Sequence, residues 1–272
     1  MIIGKRNFDL NNGPYIMGIL NVTPDSFSDG SKYNNLDKAL KHTEEMINEG
    51  ADIIDIGGES TRPNHIKISN QEEIDRVAPY IEKIKENFDI PISLDTYKPT
   101  VLKAFIDKID IVNDIWGLKW DPEYAKIVGK SNLPYILMHN RHNTNYNNFL
   151  DDVINDIKES LSISDKNNIK RENIIIDGGI GFAKSYEQNL LLLRNIDLLN
   201  QFNCPQMMAT SRKSVFGLTL DNDPEERDLA TAVSTTIGVL NNVLFFRVHN
   251  VKANLEAIKV TKSIMEGKKW IR

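Results

Sequence analysis

Met17-Gly18-Ile19-Leu20-Asn21-Val22-Thr23-Pro24-Asp25-Ser26-Phe27-Ser28-Asp29-Gly30 joins an apolar run to a polar loop. The run stops at Asn21, and the loop behind it carries a proline, acids, serines and a glycine. A buried strand ending in such a connection reads as a rigid support for a binding loop. Thr23-Pro24-Asp25 or Asp29-Gly30 alone would read as a turn. The weight of the reading therefore falls on whether other apolar runs end in the same way.

Working outward from that stretch, a short β-rich run, a polar junction and a segment of helical apolar spacing recur. Tyr15 to Leu20 precedes a helix near Leu36 to Asn48, Asp52 to Ile56 one near Gln71 to Asn87, and Pro91 to Leu94 one near Pro99 to Asp107. Asp110 to Val112 leads to Pro122 to Gly129, and Pro134 to Met138 to Asn147 to Ser164. Asn173 to Ile176 leads to Glu187 to Leu199, Gln206 to Ala209 to Pro224 to Leu240, and Leu244 to Val248 to Lys252 to Met265. Strands alternating with helices imply parallel strands joined by right-handed crossovers, and about eight such units in roughly 250 residues suit a closed (β/α)8 TIM barrel. An open doubly wound sheet would place a G-x-G-x-x-G loop after an early strand; the nearest match, Gly178-Gly179-Ile180-Gly181, comes late. Ahead of the first unit, Met1 to Asp9 and the turn signal Asn11-Asn12-Gly13-Pro14 predict a short N-terminal β-hairpin.

With 272 residues, 40% of them hydrophobic, the chain can bury a large core, and we expect one catalytic domain over residues 1–272. A net charge of -5 without a long basic run argues against a nucleic-acid surface and for small-molecule partners. The single cysteine, Cys204, excludes an internal disulfide framework and a multi-cysteine zinc site, and reads as a buried thiol. Nowhere do eighteen apolar residues run together, and Met1 is followed by no long apolar leader, so a soluble, cytoplasmic protein without membrane partners is expected.

In a TIM barrel, reactive groups belong at the carboxyl ends of the strands. The ends here are Asn21; Asp55, followed by Glu59-Ser60-Thr61-Arg62-Pro63; Asp95-Thr96; Asn113-Asp114; His139; Asp177; Ser211-Arg212-Lys213; and Arg247 with His249. Any one acid could be a helix cap, but capping does not call for Lys213, Arg247 or His249. Those cations, with Arg62, Ser60 and Thr61, point to phosphate or diphosphate. Asp95, Asn113 and Asp177 instead suit a flat heterocycle whose adjacent N–H groups donate to a buried carboxylate. A metal cage is the competing reading, but His139 has no second ligand at metal spacing and Asn113 is a poor zinc ligand. Magnesium shared with the diphosphate, with Asn21 supplying an oxygen, fits better.

Met17 to Gly30, Asp55-Ile56-Gly57-Gly58-Glu59-Ser60-Thr61-Arg62-Pro63, Ser93-Leu94-Asp95-Thr96, Asn113-Asp114, Met138-His139, Asp177 to Phe182, Ser211-Arg212-Lys213 and Arg247-Val248-His249 together resemble the dihydropteroate synthases. The resemblance runs in order from about Tyr15 to the last helix. It implies a (β/α)8 barrel of the folate pathway that joins 6-hydroxymethyl-7,8-dihydropterin diphosphate to 4-aminobenzoate. Carried over by position, it implies pterin contacts from Asp95, Asn113, Asp177 and Lys213, with Met138 against the ring. It implies Asn21 on Mg2+, Thr61, Arg247 and His249 on the diphosphate, and Pro63, Phe182, Lys213 and Ser214 around the aminobenzoate. Arg62 and the Asp25 to Gly30 loop would close over the diphosphate end, and a homodimer would form through the last helices; the small and aliphatic residues of Leu229 to Leu240 are compatible with that packing.

Four positions depart from the usual pattern: Ser31, Asn64, Gly178 in place of proline, and Asn250 in place of aspartate. Gly178 is the one expected to loosen the aim of Asp177. His142 in the Asn140 to Asn148 segment is expected to be an exposed loop residue. Two other enzyme classes share parts of the pattern. A pterin-binding methyltransferase domain would explain Asp95, Asn113 and Asp177 but not the Ser60 to Pro63 or Ser211 to Lys213 segments. A barrel aldolase would use Lys213 as a Schiff base. A barrel kept only as a scaffold is the weakest, because no expected catalytic group is missing.

Overall fold

Short isoleucine-rich runs form the strands because β-branched side chains pack well on both faces of a sheet buried within a ring of helices. The computed structural model describes residues 1–22, 32–60 and 67–271. The strands β3 (Tyr15–Asn21), β4 (Ile53–Gly57), β5 (Ile92–Asp95), β6 (Ile111–Asp114), β7 (Tyr135–Met138), β8 (Ile174–Asp177), β9 (Gln206–Met208) and β10 (Phe245–Val248) form a closed parallel barrel, with β10 pairing back to β3. The helices between them are α1 (Lys32–Glu49), α2 (Asn70–Asn87), α3 (Pro99–Phe105), α4 (Pro122–Ser131), α5 (Phe149–Lys166), α6 (Tyr186–Arg194), α7 (Ser214–Leu220) and α8 (Asp228–Leu240), and α9 (Val251–Glu266) follows β10. The expected TIM barrel and its N-terminal hairpin are both present.

Local sequence sets the helix starts. Ser69 caps α2 by accepting from the Glu72 N–H, Glu72 and Glu73 lie in the first turn, and Val77, Ile81 and Ile84 then fall on one buried face. At α6, Ser185 and Gln188 form a reciprocal capping box. Three expectations need correction. The hairpin is formed by β1 (Ile2–Ile3) and β2 (Arg6–Asn7), turning at Gly4 with φ +59°; the Asn11 to Pro14 segment instead leads into β3. The expected helix from Pro224 begins only at Asp228, because Asp223 and Glu226 close a separate 3₁₀ turn, and α7 ahead of it was not anticipated. The Glu187 to Leu199 helix stops at Arg194 and passes into a 3₁₀ segment, Ile196–Phe202.

Side chains alternate between the two sides of each strand. Outward residues such as Ile16, Ile54, Leu94, Val112, Leu137, Ile176 and Phe246 pack with the helices. Inward residues Met17, Ile53, Ile111, Ile136, Ile175, Met207 and Phe245 form a second apolar cluster within the barrel, closed from below by Ile3 and Phe8 of the N-terminal segment. Phe8 meets Tyr15 edge-on at 4.8 Å, and Tyr15 lies 5.6 Å from Phe245. Each fully buried isoleucine of this plug contributes about 1.5–3 kcal/mol. The amino-terminal end of the barrel is thus a packed floor, and polar chemistry is confined to the opposite mouth.

Candidate active site

Two residues beyond the apolar layer, the same inward positions become polar. Ile53 is followed by Asp55, Ile111 by Asn113, Ile175 by Asp177 and Phe245 by Arg247, with Asp95 joining them from β5. Arg247 lies between two acids, Nε donating to Asp55 Oδ2 at 2.6 Å and Nη2 to Asp95 Oδ2 at 2.7 Å. Asn113 Nδ2 lies 3.4 Å from both Asp55 oxygens. Burial pushes the Asp95 carboxyl up to about 7, against the pull of Arg247 and with further upward pressure from Asp55. Burial lowers the Arg247 guanidinium, but Asp55 and Asp95 outweigh it and hold the group above its usual range.

The arrangement modifies the expectation for Arg247. Two of its donors are spent on acids inside the barrel, so a diphosphate contact requires its remaining donors or an exchange of partner. Asp55 was visible as a strand end, but sequence reasoning gave it no role; the structure makes it the anchor of Arg247. The missed signal was the Ile53-x-Asp55 step, which repeats in Ile175-x-Asp177. Beside it, Gly57 carries no side chain, and a Cβ there would meet Asp95 Cβ at 3.6 Å and Asn21 Oδ1 at 3.9 Å. Asn21 and Asp95 therefore flank one spot at the barrel mouth.

On the far side, Asp177 Oδ1 accepts from the Gly179 N–H at 2.7 Å. Burial raises the Asp177 carboxyl, opposed by Lys213 and that backbone donor. Burial brings the Lys213 ammonium down to about 8, with Asp177 working the other way. Lys213 Nζ donates to the Ile180 carbonyl and stands 4.7 Å from the Phe182 ring. Met138 and Phe182 belong to one small apolar cluster with Tyr97, Ile115 and Trp116. Apolar side chains of this kind beside buried acids suit a flat polar heterocycle. Gly178, the expected weak point, has a role of its own: a Cβ there would lie 3.3 Å from both Leu192 and Leu199, tighter than ordinary contact.

His249 and Lys213 are held from behind. Ser211 Oγ accepts from the His249 N–H at 3.0 Å and pairs with Nδ1 at 2.9 Å, where its hydroxyl can donate. Arg212 takes a left-handed φ of 57° just before Lys213, and its guanidinium binds Asp228 through two bonds of 2.7 and 2.9 Å. Asn250 Nδ2 completes the group by donating to Asp228 Oδ2 at 2.9 Å. Ser214, the first residue of α7, is exposed beside Lys213. The expected contacts Thr61, Arg62 and Pro63, and the Asp25 to Gly30 loop, lie outside the described residues.

Two further charged groups escaped sequence reasoning because their partners are far apart in the chain. Lys98 Nζ donates to Glu59 at 2.6 Å, pairs with Glu73 at 2.8 Å and donates to the Ile68 carbonyl at 2.8 Å. His139 lies between Asp156 and Lys184, at 2.8 and 2.9 Å. It is thus engaged in a protein network, and among the described residues no three His, Cys, Asp or Glu side chains gather as a metal cage. His142 is exposed, as expected, and stacks on Trp116 at 4.6 Å; Cys204 is buried. No helix among the described residues is long and apolar enough to cross a membrane.

Residues 17–249 match the family described as pterin binding enzyme. A dihydropteroate synthase of Clostridium beijerinckii is 50% identical over 267 residues, covering 97% of this chain and 99% of that protein. Among solved structures, a dihydropteroate synthase from Clostridium difficile, determined in the presence of pteroic acid, superposes with a TM-score of 0.92 at 43% identity over 95% of this chain and 99% of that one. A dihydropteroate synthase of Xanthomonas albilineans with 4-aminobenzoic acid gives 0.91 at 33% identity, covering 97% of each chain.

Proposed function

From the premise that this chain belongs to the dihydropteroate synthase family of pterin-binding enzymes, we propose a division of labour within the barrel mouth. The protein is a transferase that condenses 6-hydroxymethyl-7,8-dihydropterin diphosphate with 4-aminobenzoate to give 7,8-dihydropteroate and diphosphate. The observation that carries the site assignment is the charged inward layer directly above an apolar one. Asp95, Asn113 and Asp177 offer acceptors to the ring N–H groups, Lys213 offers a donor to a ring acceptor, and Met138 packs against the ring. Arg247, held by Asp55 and Asp95, places a planar cation beside that pocket and retains donors for a phosphate oxygen.

Phe182, Lys213 and Ser214 form the side of the site that receives 4-aminobenzoate, with Pro63 contributed from the segment after β4. His249, with Thr61 and Arg62, serves the diphosphate. Departure of diphosphate from the methylene leaves positive charge that the dihydropterin spreads, and Asp95 and Asp177 offset it. The aromatic amine then attacks the methylene carbon and loses its proton late, so no strong base is required. Asn21, set beside Asp95, would supply one protein oxygen to a Mg2+ ion shared with the diphosphate, an ion that favours oxygen donors. When bound, Mg2+ supplies charge stabilisation to the leaving diphosphate.

We read the chain as one cytoplasmic catalytic domain over residues 1–272 that pairs with a second copy. The exposed apolar side chains Leu229, Val233 and Leu240 on α8 and Val260 and Ile264 on α9 supply a face for that pairing. A light-scattering mass of one chain at micromolar concentration would refute the dimer. The activity itself is tested by diphosphate release: the rate is expected to require both the pterin diphosphate and 4-aminobenzoate and to fall when magnesium is chelated. Release from the pterin diphosphate alone at the full rate would overturn the transfer reaction.

A further inference from the structure

The turn after β8 carries both the Gly179 N–H that holds Asp177 and the Phe182 ring, yet its backbone is not a favourable one. It passes through left-handed φ at Gly179 (+68°), Gly181 (+85°) and Ala183 (+45°), and such a conformation is strained for alanine. Side chains from elsewhere hold it in place. Asn189 on α6 accepts from the Gly181 N–H at 2.6 Å, and the Tyr146 hydroxyl donates to the Ala183 carbonyl at 2.9 Å. Lys184 does most: Nζ donates to the Gly179 carbonyl at 2.8 Å and the Phe182 carbonyl at 3.0 Å, and lies 2.9 Å from His139 Nδ1.

The three donors of the ammonium thus meet three acceptors. For His139 Nδ1 to accept, the ring proton must sit on Nε2, and Nε2 faces Asp156 Oδ2 at 2.8 Å. Asp156 is in turn fixed by Arg141 Nε and Nη2 at 2.5 and 3.2 Å. Burial keeps His139 neutral by bringing it down to about 4, although Asp156 pulls upward. Burial also brings Lys184 down to about 7, with Lys213 adding repulsion and Asp177 and Asp156 opposing both.

We propose that Lys184, oriented by the His139 to Asp156 pair, is a positioning residue for the second substrate: it pins the 179–182 turn and so sets the place of Phe182. The inference rests on the reading that Phe182 borders the aminobenzoate site. Lys184 acts through the turn alone, whereas Lys213 donates to the Ile180 carbonyl of the same turn and is also the lysine that the proposed function sets against the substrates.

The test compares steady-state constants of Lys184→Met, Lys184→Ala and Phe182→Ala in the full-length enzyme. Lys184→Met is expected to raise KM for 4-aminobenzoate by about tenfold or more, the scale of losing charged hydrogen bonds, while KM for the pterin diphosphate moves far less. Adding n-propylammonium ion, which replaces the missing atoms in Lys184→Ala, is expected to restore part of the 4-aminobenzoate affinity of that variant and to leave Lys184→Met unaffected. Phe182→Ala is expected to raise the same KM, and the double variant Phe182→Ala/Lys184→Met to be no worse than the poorer single one. A 4-aminobenzoate KM that moves in Phe182→Ala but not in Lys184→Met overturns the inference and spares the reading of the site. An unchanged KM in Phe182→Ala overturns that reading and the inference with it. Loss of kcat and both KM values together, without amine rescue, reduces Lys184 to a structural role and likewise overturns it. If the lysine variants do not fold, His139→Leu keeps the ammonium and removes one acceptor; an unchanged 4-aminobenzoate KM there is also fatal.

Discussion

The two inward layers of the barrel are made by the same strands, two residues apart, and they obey opposite rules. In the lower layer, Ile53, Ile111, Ile136, Ile175, Met207 and Phe245 exclude water and need only shape. In the upper layer, Asp55, Asp95, Asn113, Asp177 and Arg247 are nearly as enclosed, and burial is met either by a partner, as for Arg247 between Asp55 and Asp95, or by a shift toward the neutral form, as for Asp95 and Asp177. The difference teaches that the apolar floor does more than stabilise the fold. By removing water beneath the acids, it raises Asp95 and Asp177 and strengthens every polar contact a ligand can make with them.

The largest effect is expected from breaking the lower layer. Ile175→Asp places a carboxylate among apolar neighbours and should cost more than about 4 kcal/mol, enough to abolish folding of many domains. A urea midpoint near that of the wild type would mean that the layer admits water. Removing the cation from the upper layer comes next. Arg247→Met leaves Asp55 and Asp95 facing each other and should cost about 3–5 kcal/mol as well as activity. Adding Asp55→Ile, which extends the apolar layer upward, should recover much of the stability in denaturant titrations and none of the turnover; failure to recover stability would show that the acids are not the source of the loss.

Within the upper layer, Asp95→Asn should weaken binding of a pterin analogue by about 1.5–3 kcal/mol, because an amide presents a donor where the ring also donates. Calorimetry giving wild-type affinity would remove Asp95 from the ring contacts. The same residue sets a pH dependence. Its carboxyl lies near 7 in the fold against an ordinary 3.8, so the free enzyme holds this proton below pH 7 and pterin affinity should fall as the pH drops through that value, by up to about tenfold per unit. The linkage to stability has the opposite direction: the retained proton favours the folded state at low pH, and this contribution is lost as pH rises from about 4 to about 7. Affinity independent of pH between 5.5 and 8 in the wild type would contradict both.

The smallest effect lies at the rim, where charges are partly solvated and the layer rule relaxes. Asn250→Asp keeps the oxygen that caps α9 but replaces the donor to Asp228 with a second carboxylate. Burial opposes the ionised form of Asp228, while Arg212 and Asn250 hold the group below its usual range. Because Asp228 and Arg212 are 24% and 30% exposed, the cost should be under about 1 kcal/mol at pH 7 and fade in acid as the carboxylates protonate. Equal changes in melting temperature at pH 4 and pH 8 would rule out charge repulsion as the cause.

Much of this architecture is determined by sequence alone. The repeat of apolar run, polar junction and helical spacing is a local property, so the eight barrel strands, the helices other than α7 and the polar strand ends Asp95, Asn113, Asp177 and Arg247 could be read directly. Even the alternation Ile53-x-Asp55 and Phe245-x-Arg247 is present in the chain, although helices bury the outward faces as well and hide the period of two that usually marks a half-buried strand. What only the tertiary structure decided is who partners whom. Arg247 meets Asp55 across 192 positions and Lys184 meets His139 across 45, and closure of the barrel, which no local pattern encodes, brings β10 beside β3. The placement of a residue follows from its own neighbours in the chain, whereas its electrostatics follow from the groups that folding carries to it through a medium from which water has been removed.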